Sequence, residues 1–131
     1  MVTRRARKAI TILQGSQCLN LTTFRANGAP VVTTVWFALA NDHVYVWTAK
    51  QSGKVKRIRN NPTVEIAPST HLGKPRGPAI TASARLLSVG EQHVAEQLLN
   101  TKYGWQKQFF ALIWRLKGQE HIYIEITPME D

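Results

Sequence analysis

The sequence is poor in cysteine and in long apolar runs. Its 131 residues contain one cysteine, Cys18, which excludes an intrachain disulfide framework and a thiolate metal cage. No apolar run approaches the roughly 20 residues that a membrane-spanning helix needs. The first eight residues also lack the apolar segment of a secretory signal. We therefore expect a location in the reducing cytoplasm.

Signatures of catalytic and metal sites are missing as well. The nucleophile elbow, the zinc-protease motif and the P-loop do not occur. Four histidines are scattered along the chain, a distribution that does not favour a metal site. Cys18 lies in a strand-like run and is expected to be a small buried hydrophobe. If the protein is an enzyme, a cofactor must carry the chemistry.

Acidic residues are almost absent from the first half of the chain, and positive charge is plentiful there. The formal net charge is +9 and the pI is near 10.2. Residues 1–60 hold ten lysines and arginines against one acid, Asp42, whereas residues 61–131 hold seven of each sign. Such charge suggests nucleic acid, an anionic membrane or a polyanionic small molecule as partner. Its concentration in an N-terminal cluster and in residues 50–59 makes the positive potential local.

The spacing of apolar residues predicts a single domain over residues 1–131, mainly β and predominantly antiparallel. With 44% hydrophobic residues the chain can build a core. The Asn27-Gly28 pair predicts a type I′ hairpin, and residues 40–42 predict a second tight turn, so the first three strands form a meander. This order favours a barrel or a sandwich over a doubly wound sheet. We expect strands at 18–25, 30–39, 43–48, 63–67, 79–87 and 121–126, a loop at 68–78, and helices at 3–13, 90–101, 105–116 and directly after Ser52.

The helix after Ser52 carries the most informative pattern. Ser52 as N-cap makes Gly53 and Lys54 the first helical residues, where backbone N–H groups lack partners and the helix dipole favours an anion. Val55 and Ile58 share the side that faces the core.

Four cations flank that buried side. Lys54 and Arg57 lie on one edge, and Lys56 and Arg59 lie on the other. A solvated helix face is the alternative, but no acid within the helix pairs with these cations. Phosphate binding is therefore favoured, with Lys54 as a phosphate ligand and Arg59 solvated.

Aromatic residues precede this helix on two neighbouring strands. Two of Trp36, Phe37, Tyr45 and Trp47 can line a pocket while the other two pack. The alternative is that all four belong to the core or to an interface. Backbone groups of residues 35–37 are available to a planar heterocycle only if that strand borders a cleft.

The order of these segments resembles the split β-barrel flavin and deazaflavin oxidoreductases related to pyridoxamine 5′-phosphate oxidase, and most closely their deazaflavin-dependent branch. The resemblance covers nearly the whole chain and rests on the Asn27-Gly28 turn, the runs VVTTVWF (31–37), YVWT (45–48) and SGKVKRIRNNP (52–62), and Tyr103-Gly104. The Arg-rich C-terminal segment associated with pyridoxamine phosphate as substrate is lacking, so that activity is not expected.

The resemblance implies a six-stranded antiparallel split β-barrel of the FMN-binding type. It also implies a homodimer with two sites for FMN or the deazaflavin coenzyme F420 at the subunit interface. In the implied site, Lys54, the Ser52-Gly53 backbone and the Thr48 hydroxyl bind the cofactor phosphate, and the main chain of Val35, Trp36 and Phe37 contacts the ring. Lys56 and Arg57 bind the phosphate or an acidic tail of the cofactor. Pro78 and Trp105 of the partner subunit complete the site.

Three functions follow from these patterns. The leading one is an oxidoreductase that transfers hydride between the bound cofactor and a small organic substrate. The second is a non-catalytic protein that stores flavin, deazaflavin or haem, with His43 or His71 as axial ligand to haem. Nucleic-acid binding by an OB-type barrel ranks third, because the cations cluster on a helix and the aromatic residues on strands.

Overall fold

A computed structural model of the chain describes residues 4–40 and 43–129. Six antiparallel strands close into a barrel in the order β1-β2-β3-β6-β5-β4, in which β4 pairs with β1. This confirms the mainly β, six-stranded barrel predicted from the sequence. The strands are β1 (Cys18–Phe24), β2 (Pro30–Ala40), β3 (His43–Ala49), β4 (Thr63–Ser69), β5 (Ile80–Leu86) and β6 (His121–Pro128), and the helices are α1 (Arg4–Leu13), α2 (Gly53–Asn60), α3 (His93–Tyr103) and α4 (Trp105–Leu116).

Alternate residues of the six strands fill the barrel. Because successive side chains of a strand point to opposite faces, every second residue contributes to the interior. Leu13 of α1 and Ile58 of α2 join the same core. The interior side chains of the strands include Leu19, Leu21, Val35, Phe37, Val44, Val46, Val64, Ile66, Ile124 and Ile126.

A second apolar cluster lies outside the barrel, between the β2-β3-β6 face and helices α3 and α4. Tyr45, Trp47 and Tyr123 from the strands pack there with Leu99 and Tyr103 of α3. The aromatic strand residues are thus packed on the outer face or, for Phe37, in the barrel core. This arrangement corresponds to the second of the two options given above, in which the four aromatic residues belong to the core or to an interface and do not line a pocket.

The hairpin between β1 and β2 differs from the prediction. Gly28 N–H donates to Arg25 O (2.8 Å), and Arg25 N–H donates to Ala29 O (2.9 Å). The loop therefore spans residues 26–28, with Gly28 at a φ of 89°, as in a turn that ends on a left-handed residue. The two-residue type I′ turn is wrong, because Ala29 pairs with Arg25 and not with Ala26, which leaves three residues in the loop. The predicted turn at 40–42 lies partly outside the described residues.

Several element boundaries also differ by one to three residues, and two of these differences have a visible cause. β4 continues through Pro68 to Ser69, where Pro68 O accepts a hydrogen bond from Arg76 N–H (2.8 Å). The helix predicted from residue 90 is split, because a 3-10 turn (Val89–Glu91) with a Ser88/Glu91 capping box precedes α3. None of the helices within the described ranges has the length and apolar character that crossing a membrane requires.

Candidate functional site

Ser52 begins α2 as predicted. Its N–H donates to Ala49 O (3.1 Å), which turns the chain from β3 into the helix. Its φ of −68° and ψ of 154° are those of an N-cap, yet its side chain makes no capping hydrogen bond. The Ser52 hydroxyl is buried and has no hydrogen-bond partner among the described residues. The first turn of α2 contains no acid, so its free N–H groups and its dipole are not offset by negative charge.

Lys54 points from this first turn toward the end of β3. Its Nζ donates to Thr48 Oγ1 at 3.2 Å, and the Thr48 side chain is buried. Burial lowers the pKa of Lys54, and the neighbouring Arg57 lowers it further. No carboxylate of the described chain forms a salt bridge with this ammonium. A half-buried cation that is satisfied only by a neutral hydroxyl retains its attraction for an anion.

Arg57 lies beside Lys54, and its guanidinium lies next to Gly53. Its Nε donates to Thr23 Oγ1 at 2.6 Å. A Cβ added to Gly53 would lie 2.7 Å from Arg57 Nη1. The absence of a side chain at position 53 therefore allows the guanidinium to approach the start of the helix. Sequence reasoning missed Thr23, because nothing in its local pattern distinguishes it from its neighbour Thr22.

A second unpartnered hydroxyl belongs to Thr33 of β2. Its Oγ1 is buried without a hydrogen-bond partner in the described part of the chain. Thr33 lies opposite Leu21 of β1. Its side chain points to the same face of β2 as the side chain of Val35, two residues later. Buried hydroxyls normally have a partner, so Thr33 is a polar position that the sequence analysis did not single out.

β2 changes partner at the residues predicted to contact a ring. It pairs with β1 as far as Val35, opposite Leu19, and with β3 only from Trp36 onward, opposite Trp47. Among the described strands, the edge of β2 that faces away from β1 therefore has no strand partner between Pro30 and Val35. This is the split in the barrel. Of residues 35–37, only Val35 lies on this unpaired edge, because Trp36 and Phe37 are paired with Trp47 and Val46 of β3.

The main chain of Phe37 is already hydrogen-bonded to the Tyr103 hydroxyl. The Tyr103 hydroxyl accepts a hydrogen bond from Phe37 N–H (3.0 Å) and lies 3.1 Å from Phe37 O and 2.7 Å from Gln17 O. Burial raises the pKa of Tyr103, so the hydroxyl remains protonated. The Tyr103 ring also stacks on Trp36, with 4.4 Å between ring centroids. Because Trp36 is itself paired with Trp47 of β3, Val35 remains as the main-chain candidate on the unpaired edge.

The remaining predicted residues lie elsewhere on the surface. Lys56 and Arg59 are exposed on the other flank of α2 and line a cavity with Ser52. Arg59, expected to be merely solvated, thus borders a cavity. Pro78, in the loop before β5, is exposed, and Trp105 at the start of α4 is 74% exposed.

The histidines and the cysteine take ordinary structural positions. His43 Nδ1 lies 2.9 Å from Thr127 Oγ1, and His71 is exposed in the loop after β4. Cys18 is 2% exposed, and burial raises the pKa of its thiol, as expected for a buried hydrophobe. Within the described ranges no three acidic, histidine or cysteine side chains come together as metal ligands.

Solved structures of low sequence identity share the fold. A FAD-binding protein from Mesorhizobium loti matches with a TM-score of 0.69 and 14% identity over 95% of this chain and 88% of that one. HutZ, the haem storage protein from Vibrio cholerae, matches with a TM-score of 0.65 and 17% identity over 98% and 93%. General Stress Protein 26 from Bacillus anthracis matches with a TM-score of 0.65 and 21% identity over 96% and 90%.

At these identities the likeness establishes the fold alone. No curated protein matched the chain. A family model does match: the one described as pyridoxamine 5′-phosphate oxidase aligns with residues 6–119. That span covers most of the chain and includes β1 to β5 of the barrel, and β6 follows it. The protein therefore belongs to the pyridoxamine 5′-phosphate oxidase family.

Proposed function

We propose that this protein is an oxidoreductase that binds FMN or coenzyme F420 and transfers hydride to or from a small organic substrate. The observation that carries the proposal is the pair of cations at the start of α2. Lys54 and Arg57 each donate to a threonine hydroxyl, at 3.2 Å and 2.6 Å, and neither forms a salt bridge with a described carboxylate. Such a pair, beside free helix amides, favours a phosphate.

The residues present fit a phosphate group. The unpartnered Ser52 hydroxyl and the N–H groups of the first helical turn are donors that a phosphate oxygen would satisfy. Thr48 Oγ1 accepts from Lys54 and still has its own proton to donate. In this proposal Lys54, Arg57, Thr48 and the Ser52-Gly53 backbone bind the phosphate.

The ring of the cofactor would lie along the unpaired edge of β2, against the main chain of Val35, next to the point where Trp36 begins the pairing with β3. When bound, a flavin or deazaflavin supplies the hydride chemistry that the chain lacks. The protein's own residues bind the phosphate, orient the ring and exclude water. Stacking by Tyr103, 4.4 Å away between ring centroids, holds Trp36 in place, so the edge is rigid before binding.

We also propose a homodimer in which the partner completes the site. The outer face of α4 carries four large apolar side chains at intervals of four, three and four residues, all of them exposed: Trp105, Phe109, Leu112 and Leu116. A contiguous apolar stripe of this kind favours an interface between copies. Trp105 lies at one end of the stripe and is the residue proposed to reach the partner's cofactor, together with Pro78.

Storage without turnover is the second candidate. Its support is the fold shared with HutZ, a haem storage protein. Turnover separates the two functions. If the bound cofactor is reduced or reoxidised by at least one member of a panel of small conjugated acceptors or donors, the oxidoreductase proposal is supported. Tight binding with no electron transfer to any member would favour storage, as would a haem Soret band that shifts in His43→Ala or His71→Ala.

The binding experiment is a fluorescence titration of the purified protein with FMN and with coenzyme F420. We expect saturable binding of at least one, and Lys54→Ala should weaken it at least tenfold, about 1.4 kcal/mol. Lys8→Ala, which removes an exposed lysine of α1, is the matched control and should leave the affinity unchanged. The proposal fails if neither cofactor binds, or if Lys54→Ala binds as tightly as the control.

A further inference from the structure

A cleft runs between the outer flank of α2 and the start of β6. Two adjoining cavities form it, with volumes of about 370 Å³ and about 530 Å³. They share Lys50, Arg59 and Glu120 in their walls. Lys56 belongs to the first cavity, and the ends of β5 and the turn before α3 line the second. Arg59 therefore stands where the two cavities meet.

The acids of the cleft are already neutralised by cations. Glu120 pairs with Lys50 at 3.2 Å. Glu91 pairs with Arg85 at 2.6 Å, and this contact together with hydrogen bonds from Ser88 lowers the pKa of Glu91 to about 2. Both acidic residues are therefore poor competitors for other cations in the cleft.

Two cations of the cleft remain free. Lys56 and Arg59, three residues apart on α2, form no salt bridge with a carboxylate of the described chain. Across the cleft, burial lowers the pKa of His121, and the nearby Lys107 lowers it further while Glu96 opposes the shift. Neutral His121 adds no positive charge, so the unbalanced charge of the cleft is that of Lys56 and Arg59.

The second cavity has apolar residues in its wall, and Arg59 lines it as well. Leu86, Leu87 and Ile122 line it, and the side chain of Val89 is 85% exposed at its rim. Exposed apolar surface beside unpaired cations is the environment of a ligand that has both an anionic and an apolar part.

The cleft is separate from the proposed phosphate site of Lys54 and Arg57. Lys54 and Arg57 point to the opposite flank of α2, where they contact Thr48 and Thr23. Neither of them lines either cavity. Ser52, at the start of the helix, is the residue that both regions share.

We propose that this cleft binds a second ligand, a small organic dianion with an apolar body. Lys56 and Arg59 hold the dianionic head, and the body packs against Leu86, Val89 and Ile122. Two free cations on one flank of a helix favour a ligand head with two negative charges over a head with one negative charge. This site does not require the proposed cofactor, and it is distinct from the ring-binding edge of β2.

The test is an NMR titration of ¹⁵N-labelled full-length protein with phenyl phosphate and, separately, with phthalate. We expect saturable shifts at Arg59, Val89 and Ile122 with at least one of them; the two probes distinguish a phosphate head from a pair of carboxylates. Inorganic phosphate and benzyl alcohol, which are the head and the body alone, should each bind at least tenfold more weakly.

Variants locate the site. Lys56→Gln/Arg59→Gln should weaken the phenyl phosphate affinity at least tenfold, whereas Lys74→Gln/Arg76→Gln, with the same loss of charge on a distant loop, should not change it. Lys54→Ala should also leave it unchanged, which distinguishes this proposal from that of the cofactor site. The inference is overturned if neither probe shifts these residues, if both double variants bind alike, or if Lys54→Ala abolishes binding.

Discussion

At the scale of single residues, the candidate phosphate site depends on Gly53. Arg57 lies across this residue, and its Nε donates to Thr23 Oγ1 at 2.6 Å. A side chain at position 53 would compete with the guanidinium for the same space, because the added Cβ would lie 2.7 Å from Arg57 Nη1. The guanidinium is the end of a flexible side chain, so it can move aside at small cost.

Gly53→Ala therefore separates stability from binding. Loss of the Arg57–Thr23 hydrogen bond costs about 1 kcal/mol, and the higher helix propensity of alanine offsets up to about 1 kcal/mol. We expect the melting temperature to change by only a few degrees while cofactor affinity falls at least threefold. Gly90→Ala, where an added Cβ meets nothing within 4 Å, is the control. An unchanged affinity in Gly53→Ala would contradict the role assigned to Arg57.

Lys102 makes stability depend on pH. Its Nζ lies 3.5 Å from the centroid of the Phe37 ring and donates to Ser16 O at 3.1 Å. Burial lowers the pKa of Lys102 from 10.5 to about 8. Between these values the unfolded chain binds a proton that the folded chain has released, so the free energy of unfolding rises with pH in this window.

Urea unfolding at pH 7.5, 8.5 and 9.5 measures this effect. We expect the free energy of unfolding to rise over the series in the wild type and to rise less steeply in Lys102→Met. Cys18, Tyr103 and Tyr123, whose pKa values burial raises, act in the opposite direction, Cys18 already near the top of this range, so the difference in slope between the two proteins is the quantity that reports on Lys102. Equal slopes in the two proteins would show that Lys102 does not titrate as described.

At the scale of secondary structure, Tyr103 joins α3 to β2. Its hydroxyl satisfies the buried N–H of Phe37 and contacts the carbonyls of Phe37 and Gln17. Tyr103→Phe removes all of these contacts and leaves a buried amide without a partner. We expect a loss of about 1–3 kcal/mol in the free energy of unfolding, measured with urea. Thr101→Ala, which removes one exposed hydrogen bond of the same helix, should cost less than 1 kcal/mol; a similar cost for both variants would argue against this role of Tyr103.

Local sequence patterns predict most of these elements for identifiable reasons. The six strands and α2 follow from apolar periodicity and from the Ser52 start signal, which are local properties. The two buried positions of α2, Val55 and Ile58, follow from helix geometry and are 1% and 3% exposed.

Other features depend on contacts between distant parts of the chain. The Arg57–Thr23 hydrogen bond spans 34 residues and the Tyr103–Phe37 contact spans 66. No local pattern indicates such partners. The 3-10 turn before α3 is a different case, because its Ser88/Glu91 capping box is a local Ser-x-x-Glu pattern that the sequence analysis overlooked. The sequence therefore predicts that Ser52, Lys54 and Thr48 come together at the start of α2, but not how Arg57 is held there.

At the scale of the whole molecule, the exposed stripe of α4 predicts a dimer. Phe109→Glu places a charge at the middle of the stripe, and burying it in an interface would be costly. We expect the variant to be monomeric by size-exclusion chromatography with light scattering, under conditions where the wild type is dimeric. Gln108→Glu, on the neighbouring exposed position, adds the same charge and should remain dimeric. A monomeric wild type, or a dimeric Phe109→Glu, would contradict this interface.

The helix α2 carries four cations and no acid, and its central role in this account is to bind a phosphate with its first turn. The most direct measurement compares each cofactor with its phosphate-free form, FMN with riboflavin and coenzyme F420 with its deazaflavin core, in wild type and in Lys54→Ala. For the pair that binds, we expect the wild type to prefer the phosphate form by about 100-fold, about 2.7 kcal/mol. Lys54→Ala should reduce that preference below about tenfold and leave the affinity for the phosphate-free form unchanged. An equal preference in both proteins, or no binding of either pair, would contradict the phosphate site.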